Sequence, residues 1–141
     1  MMGEETQNSV PLHDPHGRFA DWKNRLTPLP QPVRKKIEEV SRHRRGAFEE
    51  IWKEAIEQGD LIHVYGLLCQ AAHDWLIALH ARNGWFLSTP RWSQRRMRTF
   101  DVIPFDARNR LLYIIGSVRN IQEAVRRWEE LRRLWLELPA E

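Results

Sequence analysis

The stretch Asp60 to Asn83, DLIHVYGLLCQAAHDWLIALHARN, restricts the possible folds of this chain more than any other. Wound as a helix, it spreads Leu61, Ile62, Val64, Tyr65, Leu67, Leu68, Cys69, Ala71, Ala72, Trp75, Leu76, Ile77 and Leu79 around nearly its whole circumference. A helix that is apolar on most sides has to be wrapped by other helices. Its few polar side chains, His63, Gln70, His73, Asp74 and His80, are costly to bury unless bonded, so they mark a solvent-facing seam or a site. Asp74, His63 and His73 also interrupt the apolar run, which keeps it short of a membrane span.

The flanking segments read as that wrapping. From Pro32 to Gln58, Val33, Ile37, Val40, Ala47, Phe48, Ile51 and Ala55 advance by threes and fours, predicting an amphipathic helix that packs on one face. Gly59 and Asp60 supply a left-handed stop and a cap, so this helix and the central one fold back as an antiparallel pair. Asn83-Gly84 ends the central helix. Thr89 and Pro90 look like the cap and first residue of a short basic helix. Asp106 caps a last helix, Ala107 to about Leu136, whose apolar residues Leu111, Ile114, Val118, Ile121, Val125, Trp128 and Trp135 keep a near-heptad rhythm. With only 7 Gly in 141 residues, a turn-rich β protein is excluded. The expected class is all-α: a small antiparallel helical bundle with a buried central helix, a long C-terminal helix and a core rich in the chain's 7 Trp. Residues 1–20 read as a flexible leader or orphan strand end, with VPLHDPHG as strand tail and Asp-Pro turn, and residues 21–138 as the bundle domain.

Catalytic constellations were sought in turn. No His-x-x-x-His pair occurs, and His73 and His80 lie two turns apart, which does not suit one small ion. Cys69 has His73 at i+4, but a pair on one buried helix has neither an oxyanion donor nor an opening for substrate. Neighbouring His73 and Asp74 point about 100° apart on a helix. The chain therefore carries no self-sufficient active site, and no catalytic or metal-ligating residue is assigned. One cysteine excludes an intramolecular disulfide, and the polar start MMGEETQNSV is no secretory signal, so the expected compartment is the cytoplasm.

A net charge of +3 indicates no particular partner, but Arg91, Arg95, Arg96 and Arg98 form a basic run beside Trp92 with no acidic neighbour. Placed at i, i+4 and i+7, Arg91, Arg95 and Arg98 would share a helix face suited to phosphate or to stacking with a base. The alternative is a solvated helix with Trp92 turned inward as a core anchor.

The turn Asp14, Pro15, Gly17, the Pro-rich entrance with Val33-Arg34, the Gly59-Asp60 junction and LHARNGWFLSTPRW together resemble the C-terminal helical region of bacterial nucleotidyltransferase-like proteins. These belong to the polymerase-β-type superfamily, which includes aminoglycoside nucleotidyltransferases. Asn83, Trp85, Phe86 and Trp92 stand at the later motif, with Arg91 where lysine is usual, and the likeness covers roughly residues 10 to 115. The family's Gly-Ser turn and Asp-x-Asp strand have no counterpart here. The resemblance implies a non-catalytic accessory or substrate-side domain, acting with a separate catalytic chain or left by truncation. It needs no cofactor by itself; Mg²⁺ and a nucleoside triphosphate would enter only with the catalytic partner. Two other expectations are a helical interaction module that forms a homodimer through the last helix, and a weak nucleic-acid binder using Arg91 to Arg98. A ligand site would be built from His63, Gln70, His73, Asn83, Arg91 and Trp92, where the polar seam of the central helix meets the turn after it.

Overall fold

The computed structural model describes residues 6–140, all-helical and without a strand among them. The helices are α1 (Arg18–Leu26), α2 (Gln31–Gln58), α3 (Leu61–Arg82), α4 (Ser93–Met97), α5 (Ala107–Ile115) and α6 (Ile121–Glu137); residues 6–8 are also helical. No helix of the described residues is long and apolar enough to cross a membrane.

The α2–α3 hairpin forms as its junction dictates. Gly59 adopts φ 69°, and its N–H donates to the carbonyls of the last α2 turn. Asp60 then accepts from the His63 N–H at 3.0 Å. These two residues satisfy groups that every helix end leaves open, so the reversal needs no longer loop. At the start of α2, Pro32 occupies the first turn, where a missing N–H costs nothing.

α3 is the buried rod. Val64, Leu68, Trp75, Ala78 and Leu79 have no exposed surface, and α2, α5 and α6 pack around it. The buried line of α2 differs from the expected one. Glu38, Ser41, Trp52 and Ala55 face inward, whereas Val40 and Ile51 keep 42% and 41% of their surface exposed. The face is rotated because its N-terminal half meets a charged group: Arg82, at the end of α3, donates twice to the Glu38 carboxylate, at 2.7 and 2.6 Å. Its C-terminal half meets an indole, with Trp52 stacked on Trp128 of α6 at 4.1 Å between centroids.

The last helix is interrupted where the sequence pattern predicted one long rod. α5 ends at Ile115, Gly116 turns the chain with ψ 178°, and Asn120 caps α6 by accepting from the Glu123 N–H at 2.9 Å. Glu123 in turn accepts from the Arg119 N–H, so Asn120 and Glu123 form a variant of the capping box. α5 then folds against α6. Arg110 clasps Glu130 and Glu137 across them. Most of the near-heptad stripe turns inside: Leu111, Ile114, Trp128 and Trp135 are buried in the common core, Val118 and Ile121 pack partly buried against it, and Val125 stays exposed. What remains, Ile121–Glu137, is a C-terminal helix of about 26 Å.

Residues 10–17 form no strand. Val10 and Leu12 are exposed, and with no neighbouring strand their backbone groups have no ladder to join. The Asp14 turn does form: the Gly17 N–H donates to the Asp14 carbonyl at 3.1 Å, and the Asp14 carboxylate accepts from the Ala20 N–H at 3.0 Å. Helix α1 begins directly after it, at Arg18.

Candidate functional site

Beyond α3 the chain leaves the bundle and returns to it, and one side chain closes that excursion. The Asn83 amide donates to the carbonyls of Leu79 and Val102, at 2.9 and 2.8 Å, and accepts from the Val102 N–H at 3.0 Å. Its donors and its carbonyl are thus engaged in fold contacts, so Asn83 is a clip rather than a ligand contact. Residues 84–101 project from this base, held down by buried Leu87, Ser93, Met97 and Phe100.

A second clip comes from the N-terminal segment. Gln7, 4% exposed, donates to the carbonyls of Leu26 and Gly84, at 2.6 and 3.1 Å, and accepts from the Phe86 N–H at 2.9 Å. Asn8 and Ser9 are thereby carried to the rim of the excursion, where Lys23 holds the Ser9 carbonyl at 2.9 Å. Gly84 is the joint: at φ 82°, it sits so close to Pro28 that an added Cβ would lie 2.7 Å from the proline Cβ.

Trp92 is the exceptional residue here. It precedes α4 with φ 65°, a left-handed conformation that costs a side-chain-bearing residue about 1 kcal/mol or more, and 60% of its surface is exposed. The indole is therefore not the inward anchor of the bland reading. The same geometry corrects the expected helix start: α4 begins at Ser93, capped by Trp92, not at Thr89-Pro90, because the left-handed residue breaks the helix before Arg91 can join it. Arg91, Arg95 and Arg98 thus do not share one helix face. Instead, a cavity of about 680 Å³ gathers Arg91, Arg95, Arg96 and Trp92 with Asn8, Ser9, Ser88, Thr89 and Thr99. A second, of about 540 Å³, is lined by Pro90, Trp92, Ser93, Gln94, Arg95 and Arg98.

The chemistry of these linings is uniform. Among the described residues, no acidic residue lines either cavity. Arg91, Arg95 and Arg98 have no carboxylate partner among the described residues. The Arg91 guanidinium lies 5.4 Å from the Trp92 ring centroid, and Arg96 lies 5.1 Å from that of Trp85 while donating to the Phe86 carbonyl. Guanidinium groups, hydroxyls and an open indole bind phosphate and stack on a flat ring. They offer no general base.

The other sequence-designated residues lie elsewhere. His63 is exposed in the first turn of α3. Gln70 and His73 share a cavity of about 370 Å³ with Arg44, Ala47, Phe48, Ile51 and Asp74. Asp74 is 5% exposed; burial pushes its carboxyl above the usual aspartate range, and a 3.3 Å contact with Arg44 pulls it back in part. His80 is a core histidine, bonded to the Leu76 carbonyl at 2.8 Å and edge-on to Phe100. Of the six expected residues, only Arg91 with Trp92, and Gln70 with His73, share a cavity, and neither pair joins the other. Among the described residues, no three His, Cys, Asp or Glu side chains gather as for a metal ion. Sequence reasoning missed Gln7, whose partners are up to 79 residues away and leave no local trace.

Compared with known proteins, the chain matches no family model, no curated protein and no solved structure. Its likeness to nucleotidyltransferase helical regions rests on the residues that carry it.

Proposed function

We propose that this chain is a non-catalytic helical binding module that takes nucleotide units, with phosphate on Arg91, Arg95 and Arg96 and a base against Trp92. One observation carries the reading: an exposed indole, held in a strained backbone conformation, stands among arginines in a cavity that no acid lines among the described residues. Strain of this kind persists only where the surrounding structure imposes it. Trp92 takes no part in the buried core.

The test separates binding from folding. Trp92→Gly removes the ring and also relieves the left-handed strain, so the variant should unfold at the same urea concentration as the parent or a higher one. Its affinity for nucleotide phosphates should nevertheless fall by about tenfold or more, as expected for loss of one stacking contact. Unchanged affinity in Trp92→Gly would refute the proposal.

A second reading keeps the module as the substrate-side partner of a separate nucleotidyltransferase chain. It is favoured by the Asp14–Gly17 turn, one of the motifs on which that resemblance rests. Co-purification with a catalytic chain, lost in Trp92→Gly, would support it. The homodimer alternative has less of the stripe to work with, since Leu111, Ile114, Trp128 and Trp135 are buried while Val125 stays exposed.

A further inference from the structure

Trp92 and Arg95 line both cavities, and no other residue does. Arg91 and Arg96 belong only to the larger one; Gln94 and Arg98 belong only to the smaller. The indole is therefore a partition between two basic compartments, and Arg95 spans them. Since Arg91 covers the ring and lines only the larger compartment, the ring is open to a base from the smaller.

Ser93 is a further polar feature of that side. It is 5% exposed and lines the smaller compartment, yet its hydroxyl has no hydrogen-bond partner among the described residues. Buried hydroxyls without partners are uncommon; this oxygen has almost no accessible surface, so it meets a ligand only if the side chain turns toward the cavity.

Resting on the reading just proposed, we infer that the ligand is a single-stranded nucleic acid crossing Trp92, not a lone nucleotide. One base lies in the smaller compartment against the indole, with Gln94 within its lining. The phosphodiester to the next unit crosses at Arg95. The following nucleotide lies in the larger compartment, with its phosphate toward Arg91 and Arg96. A mononucleotide can fill one compartment only, whereas a strand collects the arginines of both and stacks on the partition. Sequence preference should be weak, because every base has a face to stack and the phosphate contacts read no sequence.

The experiment compares thymidine monophosphate, thymidylyl-thymidine and fluorescently labelled oligothymidylate or oligouridylate on the full chain, with Arg98→Ala and Arg96→Ala alongside. The oligomer should bind at least about tenfold tighter than the mononucleotide, with the dinucleotide recovering much of the difference. Arg96→Ala should weaken the strand several-fold and leave the mononucleotide, held against the indole in the smaller compartment, nearly unchanged; Arg98→Ala should weaken both. If the mononucleotide binds as tightly as the strand and Arg96→Ala changes neither, the strand assignment falls and the nucleotide site stands. If no nucleotide or strand binds, both fall. A strand binding equally well to Trp92→Ala and to the parent would also overturn the inference, since charge alone would then suffice; inorganic polyphosphate, which has no base, should be indifferent to that change. A preference for oligouridylate over oligothymidylate would assign RNA, and the reverse DNA; either supports the strand.

Discussion

Replacing Glu38 with alanine tests the account of the fold most severely. The carboxylate is 3% exposed and the Arg82 side chain 10%, with two short hydrogen bonds between them. Arg82 also holds the Pro139 carbonyl at 2.5 Å, and neighbouring Arg42 donates to the Leu138 carbonyl. Around Glu38 stand further cations: burial and the proximity of Arg82 and Arg45 push the Arg42 guanidinium below its ordinary range, and Glu38 opposes that. Removing one partner of a buried pair costs roughly 3–5 kcal/mol, because the other is left desolvated and uncompensated. Here the slight exposure of Arg82 and its carbonyl bond favour the lower end, about 3 kcal/mol. For a chain of this size that is about 6–12 °C in Tm. Arg82→Ala should cost less, since Arg42 remains to face the carboxylate, while Glu38→Ala leaves Arg42 and Arg82 side by side without an acid. The double variant Glu38→Leu with Arg82→Met should recover most of the loss, because apolar isosteres remove the desolvation cost together with the attraction. Urea unfolding followed by far-UV circular dichroism measures all three. A cost below about 1 kcal/mol for Glu38→Ala, or Arg82→Ala proving the worse, would refute the reasoning.

Asp74 predicts a pH dependence of definite sign. Its folded carboxyl is raised above the usual range by burial, so the folded state holds the proton more tightly than the unfolded chain. This contribution to stability is complete below the ordinary aspartate value of about 4 and is lost as pH rises through the folded value. Asp74→Asn cannot ionise, so its stability relative to the parent should improve across that interval; parallel curves in pH-resolved urea unfolding would contradict this. Gly84→Ala should cost about 2–4 kcal/mol, from the left-handed backbone and from contact with Pro28, a ring that cannot rotate away. An alanine variant as stable as the parent by thermal unfolding would mean that the 84–86 turn is not held as described.

What could be read from the sequence followed the range of the forces involved. The apolar circumference of residues 61–82, the Gly59-Asp60 reversal and the antiparallel pair depend on neighbours within a few turns, and all are visible as spacing. The break at Gly116 was also visible, since Asn120 and Glu123 have capping-box spacing, but the near-heptad apolar rhythm runs through it and masked the signal. In α2 the rhythm misled for another reason. Glu38 is buried because Arg82, 44 residues away, compensates it, and no local pattern announces such a partner. The candidate site was half legible. Arg91 to Arg98 and Trp92 stood out by composition; the left-handed Trp92 that divides them, and the docking of Gln7, follow from tertiary contacts alone.

The Gln7 clip carries a consequence for affinity. The wall of the larger cavity that bears Asn8 and Ser9 is attached by hydrogen bonds, three from the Gln7 side chain and one from Lys23 to the Ser9 carbonyl among them. A segment fastened in this way can lift while the bundle stays intact, because local openings cost less than global unfolding. Whatever fraction of molecules has the strap undone lacks that part of the rim, and observed affinity scales with the fraction closed. A glutamine remote in sequence from Arg91, Arg95 and Arg96 would thus set how tightly the proposed site holds its ligand, without ever touching it.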